Sequence, residues 1–124
     1  MPTYTEGRHT GEFLLSEANF HRSRDNIVIA SGAGILAPGT VLAKVTASGK
    51  YVPSAATGAD GTQTAVAVLW SAVDATSADV TVAAITRDAE VKGVALTYGS
   101  TVNDDTKKAA ARAQLAAVGI ISRF

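Results

Sequence analysis

Few side chains in this sequence could carry chemistry, and their spacing works against it. The two histidines, His9 and His21, stand twelve positions apart in a polar stretch with no companion ligand pattern. They read as surface imidazoles rather than as a metal site. Residues 27–124 contain no histidine at all, so a serine–histidine–acid nucleophile cannot be assembled in the main body. With no cysteine there is no thiolate metal site, no thiol nucleophile and no disulfide framework. Asp104 and Asp105 are neighbours at a helix start, where adjacent side chains point apart and capping accounts for them. Arg87, Asp88 and Glu90 follow a strand and read as salt-bridge or edge-protecting charges. The glycine pair of Ser31-Gly32-Ala33-Gly34 lacks the lysine and hydroxyl that complete a phosphate-binding loop, and reads as a plain turn. Trp70, the single tryptophan, is either an interface anchor or core. Nothing here predicts an enzyme, a metal or a cofactor.

The elements that would position these residues are mostly strands. Residues 63–92 form the centre: an apolar run at 64–70, then a second at 79–86, across the turn-prone stretch 71–78. In the first, Val66, Val68 and Trp70 share one face and Ala65, Ala67 and Leu69 the other. Neither face is polar, so the strand is expected to be covered on both sides, paired antiparallel with the second. Residues 26–30 predict a buried strand. Pro38-Gly39 suits a type II turn, and residues 40–45 and 50–53 form a hairpin around Gly49, ending at Pro53. Residues 54–62 read as an exposed loop, and 91–98 as a further strand with a bulge at Gly93. A helix opens at Asn103-Asp104-Asp105, runs alanine-rich with Ala111, Leu115 and Val118 on one stripe, and stops at Gly119. A short last strand follows. The fold class is mainly β: a small barrel-like antiparallel domain with one Ala-rich C-terminal helix.

Residues 1–26 differ. They are polar, carry both histidines and seven charges, and hold one apolar cluster, Phe13-Leu14-Leu15. Such a stretch cannot order itself alone, yet those three residues are poor ones to leave in water. The division is therefore an N-terminal extended arm, 1–26, and a β-rich body, 27–124. The arm orders against a partner by strand addition, or else is a floppy terminus or a strand of its own domain. The body has its own shortfall. Of 58 apolar residues 24 are alanine, and burial yields only ~25 cal/mol per Å². Self-association is expected to supply the remainder. Eleven basic and eleven acidic residues are spread without a basic cluster, which leaves no electrostatic footprint for nucleic acid. No apolar run reaches membrane length and no signal pattern opens the chain, so it reads as soluble and made in the cytoplasm.

In order, spacing and length the chain resembles the lambda-type phage head decoration protein family. The similar pieces are GEFLLSEAN at 11–19, GTVLAKVTASGKYVP at 39–53, DGTQTAVAVL at 60–69, DVTVAAITRDAEV at 79–91 and DDTKK at 104–108. The resemblance implies a capsid-stabilising homotrimer on the outer surface of the virion, at three-fold and quasi-three-fold positions. It implies an N-terminal arm docking on the major capsid protein, with Gly11, Glu12, Phe13, Leu14, Leu15, Ser16 and Glu17 as the capsid-binding segment. Weak arm contacts would sum across a trimer through effective concentration. Two rivals are a trimeric small-β nucleotide hydrolase, for which Asp60-Gly61 is the nearest candidate, and a tail or baseplate adaptor.

Overall fold

The computed structural model describes residues 7, 9–20 and 22–123. Five strands close into a barrel in the order β2 (Arg24–Ile29), β5 (Tyr51–Pro53), β4 (Val41–Lys44), β6 (Ala65–Leu69) and β8 (Val80–Ile85). β6 and β8 are antiparallel neighbours as expected, meeting at Val68–Ile85 and Leu69–Ala84. β8 then runs antiparallel to β2 over six residue pairs. The hairpin of β4 and β5 forms as the sequence predicts. The Pro38-Gly39 turn before it closes with Thr40 N–H donating to the Ala37 carbonyl (3.2 Å), and Gly39 takes φ 88°. The barrel is not wholly antiparallel: its seam is the parallel contact of β2 and β5 at Ile29–Tyr51.

Alternation along the strands divides the apolar residues into two cores. The exception is the start of β6, where an irregularity in its pairing with β4 puts Ala65 in the outer cluster and not on the face of Ala67 and Leu69 that alternation predicts. Ile27, Ile29, Leu42, Ala67, Leu69 and Ala84 fill the barrel interior. Val41, Ala65, Val68 and Ile85 face outward into a second cluster with Phe13, Val91, Leu115 and Ile120. β6 thus lies between two apolar layers, as its lack of a polar face demands. The helix α1 (Asp105–Ala117) packs against it. Gln114 binds the start of this strand, accepting from Ala65 N–H (2.8 Å) and donating to the Gln63 carbonyl (3.2 Å). Asp104 caps the helix by accepting from Lys107 N–H (2.8 Å). Ala111 and Leu115 bury its inner stripe, with Val118 packed beside them.

Outside the barrel lies a three-stranded sheet in the order β1 (Leu14–Glu17), β9 (Ala89–Lys92), β10 (Ile120–Arg123). β1 is antiparallel to β9, with an irregularity between Leu14 and Ser16. β10 is parallel to β9, which requires the crossover that α1 provides.

Three expectations are corrected. The stretch 71–78 is not all loop: β7 (Val73–Ala75) pairs there with β3 (Gly34–Leu36), adding Leu36, Val73 and Ala75 to the barrel interior. Residues 91–98 are not one strand, because β9 stops at Lys92 and Gly93–Ala95 form a 3₁₀ turn that buries Ala95 and Leu96. Nor do residues 9–20 and 22–26 stand apart from the body. Phe13 lies in the outer core, Leu14–Glu17 is a strand of its own domain's sheet, and the barrel begins at Arg24. Of the apolar cluster at 13–15, Phe13 and Leu14 find cover within the same chain, and Leu15 is left exposed.

Candidate functional site

The segment 11–17 is built from a tight turn running into an edge strand. His9 N–H donates to Glu12 Oε2 (3.1 Å), Glu12 N–H to the His9 carbonyl (3.1 Å), and Leu14 N–H to the Gly11 carbonyl (3.1 Å). Because this turn precedes β1, Phe13 is set by the turn and not by strand alternation. It points inward and is 1% exposed. Its carbonyl accepts from Lys92 N–H at 2.7 Å, which starts the pairing with β9. Along β1, Leu14 is half-buried against the core, whereas Leu15 is 48% exposed. Ser16 Oγ donates to Glu90 Oε2 (2.9 Å). Glu12 is exposed, so Leu15, Ser16 and Glu12 form the outward side of the segment.

Trp70, at the end of β6, is the support beneath it. Gly11 N–H donates to the Trp70 carbonyl (3.0 Å). Gly11 has φ 68°, and a Cβ placed there would lie 2.4 Å from the indole, so both backbone and space require glycine. Phe13 meets the indole edge-on, with centroids 6.1 Å apart at 77°. Arg24 stacks over the ring at 3.8 Å and forks onto Glu17, Nε to Oε2 at 2.9 Å and Nη2 to Oε1 at 2.6 Å. The Glu17 hydrogen bond holds the Arg24 pKa above its ordinary value, against a smaller opposing push from burial. The Trp70 indole is partly buried and packs against its own core.

Beyond β1 the chain turns through Phe20, which is 91% exposed at φ 60°. The turn is tied down by buried Ser23, whose Oγ accepts from Ala18 N–H (3.0 Å) and donates to the Asp88 carbonyl (2.8 Å). The charges near the sheet are ion pairs. Arg87 bonds Asp25, Arg22 lies 3.6 Å from Asp88, and Arg123 is 2.9 Å from Glu90. Arg87, with Thr86, depresses the Asp25 pKa, and Arg123 with Ser16 depresses that of Glu90. Ser16, Glu17, Arg22, Asp88, Glu90 and Ile121 rim an open depression of about 420 Å³ on this side.

The other candidates do not converge on a reaction. Asp60 is occupied locally, accepting from Thr62 Oγ1 (2.6 Å) and Thr62 N–H (3.3 Å), which lowers its pKa. His9 is exposed, and His21 lies outside the described residues. Among the described residues no three His, Cys, Asp or Glu side chains gather as a metal group. Arg24 and Ser23 are the residues the sequence did not single out. Their partners are set by how residues 18–20 and 22–23 fold back on β1, which no periodicity encodes.

Residues 3–120, nearly the full chain, match the family model described as bacteriophage lambda head decoration protein D. No curated protein matches the chain.

Proposed function

Because the chain belongs to the bacteriophage lambda head decoration protein D family, we propose that it binds the exterior of an expanded phage head as a homotrimer and braces the shell against internal pressure. That the protein is a structural decoration component of a phage capsid, and not an enzyme, follows from the family itself. The trimer, the three-fold and quasi-three-fold positions and the outer-surface placement are our reading. Its main support is the match over residues 3–120.

The docking segment is 11–17, offered by its outward side to the major capsid protein. Leu15 is an exposed leucine on an edge strand, the combination that strand addition uses: main-chain hydrogen bonds for affinity, a side chain for specificity. Phe13 cannot insert into a partner without leaving its own core. The alanine-rich composition supports self-association, because each alanine removes little surface from water. A clip spanning several capsid subunits stabilises only the assembled lattice, and three segments on one trimer raise the effective concentration of each.

The test uses full-length protein and expanded, undecorated heads. Sedimentation equilibrium should give the mass of three chains. Leu15→Asp should keep that mass and fail to co-sediment with heads, while electron microscopy of heads with wild-type protein should show density at three-fold positions. A monomer in solution removes the trimer, and undiminished binding by Leu15→Asp removes the segment.

A further inference from the structure

We infer that Trp70 and Arg24 are positioning residues for the capsid-binding segment: they clamp residues 11–17 onto the protomer, so that the segment meets its partner already ordered. The inference rests on the proposed role of that segment.

Three residues converge on one indole, and a main-chain hydrogen bond joins its residue to one of them. Gly11 sits against its edge with no room for a methyl group, and the Gly11 N–H is bonded to the Trp70 carbonyl. Phe13 packs edge-on, and Arg24 covers the ring. Arg24 is itself held by both oxygens of Glu17. The two ends of the segment, Gly11 and Glu17, are therefore tied to the same side chain, one directly and one through the guanidinium. Such a layered arrangement needs a planar cation with a fork of donors, which arginine has and lysine lacks. The strand between them has only β9 as a sheet partner among the described residues. An edge strand paired on one side is the part of a sheet that opens most readily, and a segment that must order on binding spends affinity in doing so. The clamp removes that cost beforehand. Apparent affinity then follows the fraction of molecules in which the segment is docked on its own body.

Amide hydrogen exchange and co-sedimentation with expanded heads test this together, on Arg24→Ala, Arg24→Lys and Trp70→Ala. Exchange of residues 12–17 should rise about tenfold in Arg24→Ala, equivalent to about 1.4 kcal/mol, less in Arg24→Lys and most in Trp70→Ala. The barrel strands should keep their protection in the two Arg24 variants. Head binding should weaken about tenfold in Trp70→Ala, where the segment is largely undocked. Head binding should fall in the same order as exchange rises, least in Arg24→Lys and most in Trp70→Ala, so that the conservative variant keeps part of what Arg24→Ala loses. Unchanged exchange in Arg24→Ala overturns the clamp, and does so even where Trp70→Ala does not fold. Raised exchange at residues 12–17 with undiminished head binding overturns the positioning role. Wild-type protein that never sediments with heads overturns the docking function, and exchange alone then tests the clamp.

Discussion

β6 and β1 both carry apolar residues on two sides, yet they are held in opposite ways. β6 has a hydrogen-bonded neighbour on each edge, β4 and β8, and a core on each face. Among the described residues β1 has one sheet partner, β9, and its hold comes from Phe13, Trp70 and the Arg24–Glu17 fork. The difference teaches where a perturbation should travel. A strand buried from both sides opens only with the whole barrel, whereas one pinned by a few discrete contacts can open alone.

The largest expected effect tests the first half. Leu69→Ala empties part of the barrel interior, where Leu69 is fully buried, and should cost about 2–5 kcal/mol. Urea unfolding followed by circular dichroism and by Trp70 fluorescence should shift to one common lower midpoint. Separate midpoints would mean that β6 is not the shared wall of both layers. Gly11→Ala tests the second half. It forces alanine into a left-handed conformation against the indole, a strain of about 1–3 kcal/mol. Protection should fall in residues 12–17 and remain in β2 and β8, and equal loss in both would erase the contrast. Asp104→Ala removes the cap of α1 and should lower global stability by about 1 kcal/mol, read as a modest fall in the urea midpoint without local opening at β1. Acid gives the smallest effect. Glu90 and Asp25 have depressed pKa values through Arg123 and Arg87, so their contribution is full above the unfolded carboxylate range of about 4 and fades as pH falls through their lower folded values. Both are partly or fully exposed, and the contribution is small. Glu90 links β9 to β1 through Ser16 and to β10 through Arg123. Exchange measured from pH 5 downward, corrected for intrinsic rate, should therefore rise in that sheet before the barrel.

The sequence made the barrel more legible than the site, for a physical reason. Runs such as 64–69 and 80–85 are long enough to show their alternation, and Pro38-Gly39, Gly49 and Gly119 announce turns by backbone preference alone, each glycine taking positive φ. β3 and β7 are three residues each and surrounded by turn formers, too short to display a period. Gly93 signals an interruption, but whether the chain bulges or coils there depends on how Ala95 and Leu96 reach the core. Phe13-Leu14-Leu15 is legible as apolar and in need of cover. That Phe13 and Leu14 find it within the same chain follows from the turn at 9–14, whose hydrogen bonds decide which of the three side chains turns inward. Trp70 stands out by its rarity, while its partner Arg24 looks like any surface arginine until the fold puts Glu17 beside it.

The seam between β2 and β5 bears on the order of events during folding. The hairpin of β4 and β5 spans neighbouring residues and can form as soon as residue 53 is made. Among the described residues β2 has no such local partner: its long pairing is with β8, more than fifty positions later, and its contact with β5 is one residue pair. Loop closure over that span comes before the contacts that reward it, which places the protein among slow, millisecond-to-second folders of high contact order. The nascent chain thus carries an unfinished cylinder until residues 80–85 emerge from the ribosome, and the last strand to arrive is the one that locks it.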